Sequence, residues 1–152
     1  MNLSRKAAIV VLIVILVGGS ATAGLYLLSR APGQSRPLPP GCVKPPGGFL
    51  IIASNLGYND SITHGAPQKT WPIITVKQGQ TVDIVVCNID VQAHGFQITH
   101  YSDSSEVTLE PGQVLKVPPF VADRAGSFQI YCEIFCSIHI YMQSGQLLVT
   151  PA

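Results

Sequence analysis

Charged residues are scarce in this chain. Only 11% of its 152 residues are Asp, Glu, Lys or Arg, and the formal net charge is +1. This balance lacks the basic surface that nucleic-acid binding requires, so we expect no nucleic-acid partner. Soft metal-binding side chains are also few, with four cysteines and two methionines. A cluster of these few side chains in the sequence would therefore indicate a metal site.

Helical periodicity is absent beyond residue 30. Short apolar runs alternate there with Gly, Pro and Asn, which indicates seven or eight strands with residues 54–71 as a loop. So many short strands in ~110 residues predict an all-β sandwich over residues 49–152. The predicted strands are Phe49–Ala53, Pro72–Val76, Gln80–Cys87, Val91–Thr99, Val107–Leu109, Val114–Phe120, Ser127–Cys132 and Gln146–Thr150.

The long run without charge lies near the N-terminus. Residues 7–28 would span ~33 Å as a helix at ~1.5 Å per residue, enough to cross a bilayer core of ~30 Å. Arg5 and Lys6 before this run predict a cytoplasmic N-terminus and an extracytoplasmic domain. Ala21 to Ala23 also fit a signal-peptide cleavage pattern. Residues 1–30 are thus predicted to be a transmembrane anchor at the cell membrane or, alternatively, a signal peptide.

A spacer rich in proline and glycine follows the anchor. Residues 31–48 contain six prolines and four glycines, which favour a stiff extended segment. Cys42 lies in this spacer and Cys87 in a predicted strand. The two form a disulfide, or Cys87 packs as a small apolar side chain, and the sequence leaves both alternatives open.

Soft donor groups concentrate near the end of one predicted strand. Phe128 and Ile130 alternate with polar residues, so the next member of their row also faces inward. Thiolate and thioether groups select copper, and an imidazole completes a copper ligand set. The strand end and the following loop place four such groups within eleven residues: Cys132, Cys136, His139 and Met142.

A second histidine has a similar environment. His94, Phe96 and Ile98 form one predicted inward row, and Gln97 and Thr99 are expected to point outward. Gly95 permits another backbone to approach closely. Alone, His94 would be read as a hydrogen-bonded core histidine. Together with the cysteine loop, it is predicted to be a metal ligand.

The pairing of an NxDxxxHGF segment, Asn88 to Phe96, with the later YCxxxC…H…M loop resembles a cupredoxin. The resemblance is closest to the CuA domain of haem–copper (cytochrome c) oxidase subunit II and covers residues 73–150. It implies a Greek-key β-sandwich that binds two coppers. The implied ligands are bridging Cys132 and Cys136, terminal His94 and His139, and axial Met142 and Ile134, the latter through its carbonyl.

The same resemblance implies a function in electron transfer. Electrons would pass from a cytochrome or a blue copper protein outside the cytoplasm to the membrane subunit of a haem–copper oxidase. The chain would then be a subunit of an oxidoreductase and not its catalytic subunit. A nitrous-oxide-reducing enzyme also carries a CuA domain, but this chain is too short to include that enzyme's catalytic portion.

One departure from the family pattern keeps other functions open. The spacing from Cys136 to Met142 is C-x2-H-x2-M, one residue shorter before His139 than in the CuA family. Type-1 copper sites of the amicyanin kind have this shorter spacing, so a mononuclear blue copper protein is the alternative. A copper-delivery protein, a Cys132–Cys136 disulfide and a zinc site formed by His94, His139 and both cysteines are further alternatives.

Overall fold

Ten strands and one short 3₁₀ helix, His139–Met142, form in the part of the chain that the computed structural model describes, residues 37–60, 72–103 and 107–152. Apolar residues at every second position bury one face of strands such as Ile73–Lys77 and Gly145–Thr150. The strands are β1 Phe49–Ser54, β2 Gly57–Asn59, β3 Ile73–Lys77, β4 Thr81–Asn88, β5 His94–Gly95, β6 Gln97–Ile98, β7 Thr108–Leu109, β8 Val114–Val121, β9 Gly126–Tyr131 and β10 Gly145–Thr150.

Two four-stranded sheets form the sandwich. Their strand orders are β2-β1-β4-β8 and β3-β10-β9-β6, and β5 pairs separately with β7. The β1–β4 and β3–β10 pairs are parallel, and the other pairs are antiparallel. The all-β prediction is therefore confirmed. Both sheets contribute buried side chains to one core: Ile51, Val82, Ile84, Val86 and Val117 from the first, and Ile74, Val76, Ile98, Ile130, Leu147 and Val149 from the second.

Two segments differ from the sequence-based expectation. Gly57–Asn59 forms β2 against β1, within residues predicted to be a loop. The predicted strand Val91–Thr99 divides into β5 and β6 because these short pieces pair with different partners, β7 and β9. This division also places Gln97 inside the protein, 3% exposed, where its Nε2 donates to Glu133 Oε1 at 3.3 Å.

A disulfide joins Cys42 to Cys87 and resolves the alternative that the sequence left open. Both residues are buried, and they pack with Val85 in a cluster separate from the core between the sheets. Cys87 thus occupies the face of β4 opposite Val82 and Val86. The bond attaches part of the predicted spacer to the first sheet.

The predicted N-terminal anchor, residues 1–30, lies outside the described residues. Across residues 37–60, 72–103 and 107–152, no helix has the length and apolar character needed to span a bilayer. The transmembrane helix therefore stays a prediction.

Candidate metal centre

The loop after β9 folds back onto the strand that precedes it. Cys132 continues the buried row of Phe128 and Ile130 and is 1% exposed. Its backbone N–H donates to the Met142 carbonyl at 2.9 Å, and the His139 N–H donates to the Cys136 carbonyl at 3.2 Å. These bonds close the loop and return Met142 to the interior.

Three predicted ligands meet at one buried point. The side-chain donor atoms of His94, Cys132 and Cys136 all lie within 4.8 Å of one another. The three residues are 0%, 1% and 5% exposed, respectively. Both cysteines are free thiols, so the alternative of a disulfide between them is wrong. Two thiols and an imidazole in a dry site form a donor set suited to copper.

The other three predicted groups border this cluster. Met142 Sδ lies 3.9 Å from Cys136 Sγ, and the Ile134 carbonyl oxygen lies 3.1 Å from Cys132 Sγ. His139 is half-buried, and its Nδ1 lies 3.0 Å from the same carbonyl oxygen. The fold therefore places Met142 and the Ile134 carbonyl against the cluster, whereas His139 lies outside it and reaches it only through the Ile134 carbonyl.

The two ring nitrogens of His94 have different surroundings. Nε2 lies 2.9 Å from Asp90 Oδ2, whereas Nδ1 is buried and has no hydrogen-bond partner. Metal-binding histidines commonly use one nitrogen for the metal and bond the other to a carboxylate. A metal at Nδ1 would satisfy an otherwise unpaired buried atom, so His94 fits the ligand role.

Asp90 is itself held in place by the backbone around it. Its Oδ1 accepts a hydrogen bond from the Val91 N–H at 2.6 Å, and its own N–H donates to Asn88 Oδ1 at 2.8 Å. No role was predicted for Asp90 from the sequence, although its position four residues before His94 was the available signal.

The contacts around the cluster shift the pKa values of His94, Asp90 and Cys136. Burial lowers the pKa of His94, but its bond to Asp90 and the nearby Cys132 raise it more, so the net shift is upward. Burial raises the pKa of Asp90, but His94 and the Val91 N–H outweigh it and leave the pKa lowered. Burial and neighbouring Cys132 raise the pKa of Cys136 to about 11. The metal-free Cys136 thiol is therefore protonated near neutral pH, and metal binding must displace that proton.

Three further residues form hydrogen bonds or electrostatic contacts around the site, and no role was predicted for any of them from the sequence. Gln143 Nε2 donates to the Cys132 carbonyl at 2.6 Å. Glu133 Oε1 accepts from the Val107 N–H at 2.7 Å. Tyr58 is 1% exposed, and its pKa is raised well above its usual value, first by burial and then by Cys132, Glu133 and Cys136. Its hydroxyl consequently keeps its proton and remains a hydrogen-bond donor.

Sequence comparison finds relatives for part of the chain. No protein-family model matches it. Nitrous-oxide reductases from Pseudomonas fluorescens and Stutzerimonas stutzeri are 37% and 38% identical to it over 95 residues. The matched stretch is 60% of this chain and 14% of each relative, so the chain spans a small part of their length.

Structure comparison identifies the fold. Reduced auracyanin from Roseiflexus castenholzii has a TM-score of 0.51 and 19% identity, over 68% of this chain and 97% of auracyanin. A chain of a heme-copper terminal oxidase dimer has a TM-score of 0.52 and 19% identity, over 97% of this chain and 99% of that one. A multicopper oxidase has a TM-score of 0.54 and 16% identity, over 72% of this chain and 45% of that one.

At these identities the likeness concerns the fold alone. The chain thus resembles the cupredoxins, as its sequence predicted, and its buried histidine and two cysteines fit a CuA-type site.

Proposed function

We propose that this protein is a membrane-anchored copper electron-transfer protein of the dinuclear CuA type. It would pass electrons from a donor outside the cytoplasm to a terminal oxidase. One observation carries the proposal: two unlinked, buried thiols share their site with an imidazole nitrogen that has no hydrogen-bond partner. A second thiol beside a single copper would be open to oxidation, which favours a metal role for both sulfurs.

The surrounding groups support two coppers rather than one. We assign Cys132 and Cys136 as bridges and His94 and His139 as the terminal ligands. Met142 adjoins the sulfur of Cys136, and the Ile134 carbonyl adjoins the sulfur of Cys132, so each sulfur would have one weak ligand beside it if copper were bound. Bound copper would supply one-electron redox chemistry. The buried cluster would hold its ligands in place and exclude water, which limits rearrangement on electron transfer.

We place the electron entry or exit point at His139. His94 is fully buried, whereas His139 is half-buried. The ring of Phe135, 90% exposed, lies 5.7 Å from the His139 ring between centroids. Exposed Ile140 follows His139, and residues 134–152 carry no Asp, Glu, Lys or Arg. Exposed apolar side chains beside a half-buried ligand, on a loop without charged residues, suit a transient redox partner.

Partners and location belong to the same proposal. The fold likeness to a chain of a heme-copper terminal oxidase covers nearly the full length of both chains. It supports an oxidase membrane subunit as the acceptor, with a cytochrome or a blue copper protein as the donor. The uncharged run of residues 7–28 supports a single-pass anchor in the cell membrane with the domain on the extracytoplasmic side.

A mononuclear type-1 copper protein is the second candidate. The short spacing before His139 is the observation that favours it, because type-1 copper loops of the amicyanin kind have the same C-x2-H-x2-M spacing. Copper delivery is less well supported because exchange with a partner requires accessible ligands, and these three side chains are buried.

Metal analysis and low-temperature EPR spectroscopy on the copper-loaded full chain separate the two candidates. For the dinuclear site we expect two coppers per chain and one unpaired electron shared by two copper nuclei. One copper per chain with a blue type-1 signal would instead establish the mononuclear site. A chain that binds zinc but no copper would contradict both.

A further inference from the structure

The sulfur of Cys132 accepts a backbone hydrogen bond from a neighbouring strand. The Gly95 N–H donates to Cys132 Sγ at 3.1 Å, and both residues are buried. A donor at a thiolate draws electron density from the sulfur, so the sulfur donates less charge to a bound metal. Hydrogen bonds to cysteine sulfurs are for this reason among the determinants of metal reduction potentials.

A tyrosine holds the other side of Gly95. The Tyr58 hydroxyl donates to the Gly95 carbonyl oxygen, across 37 residues of sequence. The Tyr58 ring packs edge-on against Phe96, with centroids 5.8 Å apart and planes at 77°. Tyr58 belongs to β2, so this strand connects the first sheet to the metal centre.

Glu133 confines Gly95 from a third direction. A β-carbon added at position 95 would lie 2.5 Å from the Glu133 carboxyl carbon and 3.0 Å from its backbone nitrogen. A side chain at position 95 would force the Glu133 carboxylate to move, and Gly95 has contacts at its N–H, its α-carbon and its carbonyl. The hydroxyl of Tyr58 is the side-chain donor among these contacts.

We propose that Tyr58 is a positioning residue of the metal centre. Its hydroxyl fixes Gly95 so that the Gly95 N–H keeps its bond to Cys132 Sγ, and this bond raises the reduction potential of copper at the site. The inference rests on the proposed function, because a potential at this site requires bound copper.

The test compares Tyr58→Phe with the full chain. In the metal-free protein, we expect the Gly95 amide of the variant to exchange with solvent about two- to tenfold faster, since one hydrogen bond that orders the residue is lost. In the copper-loaded protein, we expect a lower reduction potential and a shifted sulfur-to-copper charge-transfer band, with the copper content unchanged.

Tyr101→Phe is the matched control. It also removes a tyrosine hydroxyl, here a buried one without a hydrogen-bond partner, and its ring stacks on Phe120 and meets Phe128 edge-on. This variant should keep both the exchange rate of Gly95 and the potential of the unaltered chain. Equal shifts in the two variants would show a general effect on stability and would refute the proposal.

The outcomes also separate this inference from the proposed function. Copper binding with the same potential in Tyr58→Phe and the unaltered chain refutes the role of Tyr58 and leaves the copper site standing. Failure of the unaltered chain to bind copper refutes the proposed function. If Tyr58→Phe does not fold, NMR of the unaltered chain decides: a slowly exchanging Tyr58 hydroxyl proton supports the bond to Gly95, and exchange as fast as in free tyrosine overturns it.

Discussion

Single residues around the candidate ligands determine how well this site is organised for a metal. Asp90 bonds to one nitrogen of His94 and leaves the other for a ligand role. The carboxylate fixes both the ring orientation and the tautomer, and negative charge beside the ring makes the free nitrogen a better donor. Asp90 is therefore expected to affect affinity without contacting the metal.

Asp90→Asn should weaken copper binding about 10- to 100-fold, the range typical of lost carboxylate–histidine partners. The amide retains the size of the side chain but lacks the negative charge. Competition with a chelator of known affinity measures the change. Asp123→Asn is the control, because Asp123 is exposed and bonds to His100 at 3.2 Å rather than to a residue of the centre. An unchanged copper affinity in Asp90→Asn would show that Asp90 does not contribute to copper binding.

At the scale of the elements, β2 and the 3₁₀ helix support each other beside the centre. Gly57 in β2 has a φ of +90°, and a β-carbon there would lie 3.3 Å from the β-carbon of Tyr141 in the helix. The same helix carries His139 and Met142. A side chain at position 57 would therefore press on the element that positions two candidate ligands.

Gly57→Ala should lower the free energy of unfolding by about 1–2 kcal/mol from the left-handed backbone alone. It should also alter the copper spectrum. Gly79→Ala is a matched control, since Gly79 has a φ of +86° and nothing within 4 Å of an added β-carbon. We expect Gly79→Ala to lose similar stability, measured by denaturant unfolding, and to keep the spectrum. Identical spectra in the two variants would show that β2 does not position the helix.

Local patterns predicted most strands and five of the six candidate ligands, because both kinds of signal lie close together in the sequence. The sixth, the Ile134 carbonyl, followed only from the family resemblance. Alternation identified β4 and β9, and four candidate ligands occupy eleven consecutive residues. The same local patterns did not predict contacts between residues far apart in the sequence. Tyr58 lies in a three-residue strand too short to show a period, and its role depends on a carbonyl 37 residues away. The strand before Phe96 pairs with β7 and the strand after it pairs with β9, and Gln97 is buried where this change occurs. No local sequence pattern predicts such a change of partner.

For the molecule as a whole, the Cys42–Cys87 disulfide stabilises a different part of the sandwich from the centre. It packs with Val85, on the face of β4 opposite Val86, and its sequence separation is 45 residues. Cross-linking a loop of this length restricts the unfolded chain and contributes ~4 kcal/mol in the chain-entropy account. Loss of the disulfide should therefore lower the stability of the fold without changing the geometry of the candidate ligands.

The double variant Cys42→Ala with Cys87→Ala tests this separation. We expect its free energy of unfolding to fall by ~4 kcal/mol from the lost cross-link. Removing two buried sulfurs adds to that loss, so Val85→Ala serves as a packing control in the same cluster. Denaturant unfolding measures stability, and EPR spectroscopy measures the copper site, which we expect to keep its signal because Cys132 and Cys136 lie in the core between the sheets. A changed copper signal in a folded double variant would mean that the disulfide also shapes the centre, through β4 and the Asn88–Asp90 turn that follows it.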